Sequence, residues 1–123
     1  MRYLIMIYSN PQSRRVWENL TDEQRAEGAA SYRGLNEELA RTGEIVASEP
    51  LAGTSQAKRI STEGGHLLTT DGPFAEVKEH LAGFYLIECA GMERAVELAS
   101  RVPEARLGLV EVRPVIDRSV YGI

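Results

Sequence analysis

The chain has one cysteine, two histidines and one tryptophan in 123 residues. A single thiol, Cys89, closes no internal disulfide, so stability must come from a packed core, and this usage fits a reducing compartment. His66, His80 and Cys89 lack the tight spacing that holds zinc, so neither a metal nor a cofactor is expected. Long apolar runs are missing too. The longest, residues 3–8, falls far short of the roughly 20 residues of a membrane helix. A secretory signal would need a basic start, a longer apolar stretch and a small-residue cleavage site, and none is visible. The expectation is a cytoplasmic protein with no membrane contact. Positive charge is scarce and scattered: 14 Lys and Arg against 18 Asp and Glu leave a formal −4. With no basic stripe to neutralise phosphates, nucleic acid is not an expected partner. No serine opens a Gly-x-Ser-x-Gly elbow. Gly64-Gly65 lacks the lysine and the strand-to-helix context of a phosphate loop.

What is present reads as one domain over residues 1–123, with 43% hydrophobic and 26% charged residues. Residues 1–8 predict a strand apolar on both alternating sets, Tyr3, Ile5, Ile7 and Leu4, Met6, Tyr8. Asn10-Pro11 breaks it, and Trp17 with Leu20 is expected to pin the next segment to the core. Thr21 and Gln24 form a capping-box pattern for a helix running to about Arg41, with Ala29, Tyr32, Leu35 and Leu39 inward and Gly43 as its stop. Gly28 and Gly34 cost about 1 kcal/mol each in helix propensity, and close approach to a sheet would explain them. Strands follow at residues 44–51 and 81–89, with a hairpin between them at 56–62 and 66–70 and an Asp71-Gly72-Pro73 turn. A helix at 92–102 and a last strand at 107–115 complete the chain.

With the hairpin set aside as an insertion, the order is β-α-β-β-α-β, an α+β, ferredoxin-like arrangement with an antiparallel sheet. The first and third core strands are its centre, and these are the two that read as apolar on both faces. Two helices cover one face only, so the second face predicts a homodimer.

The stretch Asp71-Gly72-Pro73-Phe74-Ala75-Glu76-Val77-Lys78-Glu79, followed by Gly83-Phe84-Tyr85, resembles the DGPF motif of the YCII-related family. Glu49-Pro50-Leu51 and Val110-Glu111-Val112-Arg113-Pro114-Val115 resemble that family's flanking segments. The resemblance implies pairing into a dimeric α+β barrel. It also implies two functional directions, dehydrochlorinase-like lyase chemistry through a His–Asp pair, or a regulatory role beside an extracytoplasmic-function sigma factor. The dyad does not carry over, because residues 22–41 contain no histidine. Tyr32 is the only ring in that helix with a titratable proton.

Asp71 has two readings. Aspartate before glycine commonly folds its carboxylate onto the backbone two residues on, making an Asx-turn. Alternatively, Asp71 is a catalytic base with Lys78 and Glu79 beside it and Arg113 or Tyr32 across a pocket, binding a small polar molecule near the dimer seam. Phe74 is expected to anchor the turn by burying its ring. Glu111 and Arg113 alternate with Val110 and Val112, so they line a polar pocket on the face opposite the helices or form a structural ion pair. Three functions stand open: a lyase-type enzyme, a non-catalytic module with a transcriptional-regulator partner, and a chiefly structural pair.

Overall fold

The computed structural model describes residues 1–73 and 77–123. Strand β1 (Arg2–Ser9) leads into helix α1 (Pro11–Glu18), helix α2 (Asp22–Thr42) and strand β2 (Ile45–Pro50). A ribbon of β3 (Lys58–Glu63) and β4 (His66–Asp71) precedes β5 (His80–Glu88), α3 (Met92–Ala99) and β6 (Val110–Pro114). Four strands form an antiparallel sheet in the order β2-β5-β1-β6, and β3-β4 forms a separate two-stranded sheet. This is the expected α+β, ferredoxin-like order, with β1 and β5 at the centre.

The central strands divide their side chains between two faces. Tyr3, Ile5, Ile7, Tyr85 and Ile87 join Leu35 and Leu39 of α2 and Ala95, Leu98 and Ala99 of α3 in the core. Burying a large aliphatic side chain contributes about 1.5–3 kcal/mol, and Ile5, Leu35, Leu39, Ile87 and Leu98 are completely enclosed. None of Leu4, Met6, Phe84 and Leu86 belongs to this core. Tyr8 Oη donates toward Met6 Sδ at 3.4 Å on that second face.

Local chemistry sets the boundaries. Thr21 accepts from the Gln24 N–H at 3.1 Å, and the Gln24 side chain accepts from the Thr21 N–H at 2.9 Å, closing the capping box of α2. Gly43 ends α2 in the left-handed region at φ 76°. The ribbon turns on Gly64 and Gly65 with φ of 56° and 80°, as a two-residue turn with positive φ at both positions requires. Gly83 lies against β2, where an added Cβ would sit 3.2 Å from the Glu49 carbonyl oxygen. That is the close backbone approach a strand glycine signals.

Several expectations need correction. Trp17 is not pinned in the core: α1 buries no residue, and the indole is 55% exposed with the Arg25 guanidinium 5.0 Å from its ring centre. Gly28 meets nothing within 4 Å, and Gly34 only an Arg101 side-chain nitrogen at 3.9 Å, so neither marks approach to the sheet. Ala29 is exposed, since only Leu35 and Leu39 of α2 are fully buried. The final helix stops at Ala99, and a 3-10 turn at Pro103–Leu107 precedes the last strand. The Phe74 anchor lies outside the described residues. No helix among the described residues is long and apolar enough to cross a membrane.

Candidate functional site

Strand register determines which polar side chains share the second sheet face. Glu49 pairs with Phe84, Phe84 with Met6, and Met6 with Glu111, giving one row across all four strands. The next row runs Ala47, Leu86, Leu4, Arg113. Directly opposed residues point to the same side of a sheet. The face therefore carries an apolar strip, with Met6 buried and Leu4, Phe84 and Leu86 half-buried, bounded by Glu49 on one edge and Glu111 and Arg113 on the other. Glu111 and Arg113 are exposed, and among the described residues no ion pair joins them. The polar-face placement is as expected and the structural ion pair is not.

Asp71 ends β4, and its carboxylate is ion-paired with Lys58 Nζ across the ribbon. The Asx-turn reading fails on chemistry: the residue two positions on is Pro73, which has no N–H to donate. The main chain closes the same corner, with the Gly72 N–H donating to the Ala57 carbonyl at 2.8 Å. Lys78 and Glu79 are exposed just before β5. His80 pairs with Ser9, whereas Arg113 pairs with Leu4. The five residue steps between these partners on β1 span about 17 Å. A single protomer therefore does not bring Lys78 and Glu79 together with Arg113.

Tyr32 lies on the helix side of the sheet. Its hydroxyl donates to the Glu104 carboxylate, and burial first, then that carboxylate, holds the phenol well above its ordinary range. Beside it Tyr85 Oη donates to Asn36 Oδ1 at 2.6 Å, and burial raises that phenol as well. Both phenols stay protonated and act as donors rather than bases. Tyr32 and Arg113 consequently occupy opposite sides of the sheet.

The densest charge constellation is elsewhere. Arg94 of α3 grips Glu44 with two hydrogen bonds of 3.1 and 2.8 Å and reaches Glu97 at 2.8 Å, with Glu38 at 3.9 Å. Arg101 pairs with Glu38. Arg94 holds the Glu44 carboxyl below its usual range. This network ties α3 to the α2–β2 junction. The Arg94–Glu97 spacing of three was legible in the sequence, but the cross-element partners were not.

A groove of about 390 Å³ between α3 and β6 is lined by residues including Met92, Val96, Val110 and Val112, and by none of Asp71, Lys78, Glu79, Arg113 or Tyr32. Among the described residues no three His, Cys, Asp or Glu side chains come together as a metal ion would need.

A family model described as the YCII-related domain matches residues 1–119. An uncharacterised protein of Rhizobium meliloti (strain 1021) is 31% identical over 116 residues, covering 93% of this chain and 91% of that protein. Among solved structures, the 5-chloro-2-hydroxyhydroquinone dehydrochlorinase from Burkholderia phenoliruptrix AC1100, in complex with 2,5-dihydroxybenzoquinone, aligns with a TM-score of 0.52. Identity there is 19% with 94% of each chain covered, which shows a shared fold.

Proposed function

The chain belongs to the YCII-related domain family, and from that premise we propose that it binds a small polar molecule where two copies close on the second sheet face, with lyase-type elimination as the reaction. The observation that carries this reading is the face itself. Leu4, Met6, Phe84 and Leu86 make an apolar floor, and Glu49, Glu111 and Arg113 stand at its edges with charges to orient a ligand. The dimeric α+β barrel is the assembly in which such a floor gains a roof.

In an elimination, a carboxylate takes a proton from the substrate, the released electron pair forms a double bond, and a leaving group departs as an anion. Asp71 is the proposed base. Arg113 and Lys78 supply positive charge for the departing anion, with Glu79 as a further ligand contact; Tyr32, on the helix side, takes no part. Because Lys78 and Arg113 are far apart in one protomer, the site requires both copies. The fold shared with a dehydrochlorinase favours elimination over other chemistries. The regulatory reading gains no support from either relative.

A thermal-shift series with hydroxyquinones, phenols and small carboxylic acids tests this. At least one class should raise the wild-type melting temperature, and Arg113→Ala should abolish the shift. Asp71→Asn should keep binding and lose turnover. Equal shifts in the wild type and Arg113→Ala, or turnover untouched in Asp71→Asn, would remove the assignment.

A further inference from the structure

The β3–β4 ribbon has the least cover of any strand pair among the described residues. β4 is exposed at all six positions and β3 at four of six. Ile60 pairs with Thr69 and Thr62 with Leu67, which makes Ile60 and Leu67 diagonal neighbours on one face. They are 70% and 78% exposed, whereas Leu68 on the other face is 38% exposed.

A two-stranded ribbon is marginally stable by itself in water. This one is nevertheless held in a fixed register. The Lys58–Asp71 ion pair and the Gly72–Ala57 hydrogen bond close its base, and Gly64-Gly65 shapes its tip. The sequence thus specifies a ribbon of fixed register whose apolar pair has little cover from the described residues.

Area and charge indicate what covers it. The second sheet face, four strands wide and five to nine residues long, has a footprint of roughly 450 Å². A stable dimer buries about 800 Å² of accessible surface per partner, so even with side-chain relief the face needs a further contribution. The ribbon's formal charges balance, Lys58 and Arg59 against Glu63 and Asp71, so two identical surfaces can meet across a two-fold axis without net repulsion.

We propose that the Ile60–Leu67 face of the ribbon is an interaction surface for a second copy of this chain. The ribbon extends the contact made by the sheet face, and each copy clasps the other. This rests on the two-copy site proposed above and adds the element that secures it.

The test is a dilution series by light scattering on four full-length proteins: the wild type, Ile60→Lys/Leu67→Lys, Leu4→Arg and Val120→Lys. The ribbon variant should weaken the dimer at least tenfold with unchanged far-UV circular dichroism. Val120→Lys, at a site 70% exposed outside the ribbon, should not. Hydrogen exchange on the wild type supplies a readout independent of any variant. Amides of residues 59–70 should lose protection as the dimer is diluted apart. A dimer weakened by Leu4→Arg but not by the ribbon variant, with ribbon amides indifferent to dilution, overturns the clasp and leaves the sheet-face reading standing. A wild type that is monomeric at every concentration overturns both.

Discussion

The four-stranded sheet and the β3–β4 ribbon use similar residues toward different ends. In the sheet, Ile5, Ile7 and Ile87 are sealed under α2 and α3. In the ribbon, Ile60 and Leu67 share one face with Thr62 and Thr69 and remain uncovered. Hydrophobic periodicity therefore fixes which side of a strand is apolar without fixing what lies against it. The helix-facing side of the sheet is sealed within one chain. The ribbon depends on its register clamps and on whatever meets its outer face.

Substitutions can sharpen that contrast. The largest effect is expected in the sealed region: Leu39→Ala should destabilise by about 2–5 kcal/mol through a cavity, while Ile60→Ala at dissociating concentration should leave the denaturation midpoint nearly unmoved. Equal losses would mean the ribbon is as integral as the core. Next, Gly83→Val should cost about 1–3 kcal/mol through overpacking, because even a Cβ there crowds the Glu49 carbonyl. An unchanged chemical-denaturation midpoint and slope would show that β2 yields freely.

A smaller effect belongs to Glu44. Its folded carboxyl is held below the ordinary range by Arg94, so its contribution is present above the unfolded glutamate value and is lost as pH falls through the lower folded value. Glu44→Gln should melt a few degrees below wild type near neutrality, and the gap should close in acid. A gap that widens as pH falls would reverse the sign of the coupling. The smallest global effect is expected from Asp71→Asn. The pair it breaks is exposed on both sides, and such pairs contribute about 0–1 kcal/mol. Hydrogen exchange should instead show faster opening at the base of the ribbon, around Lys58 and Thr70, than in the β1–β5 ladder.

Much of the fold was legible because short-range chemistry encodes it. Thr21, Gln24 and Gly43 bracket α2 with groups that satisfy specific backbone donors and acceptors. The two-faced apolarity of residues 3–8 and 84–87 identified the central strands. Trp17 misled because a large ring usually signals a core, whereas this one lies flat against an arginine at a helix corner. Gly28 misled similarly, since its open surroundings call for no glycine. The candidate site was less legible. Glu49, Glu111 and Arg113 share a face only through the registers of three strand pairs, and long-range pairing leaves no periodic trace in the sequence. Tyr32 and Arg113 both carry chemistry suited to a site, yet the sheet stands between them.

The lone indole has a spectroscopic consequence. Trp17 is the only tryptophan in the chain, and it already faces solvent in the native fold with the Arg25 side chain over its ring and the Arg25 guanidinium donating to the Trp17 carbonyl at 2.9 Å. Its emission will be that of a wet indole before any denaturant is added. Fluorescence will therefore report the α1–α2 corner, with a small red shift as that stack opens. The sheet and its core will be silent in that channel and must be followed through the amide backbone or through the buried phenols of Tyr3 and Tyr85.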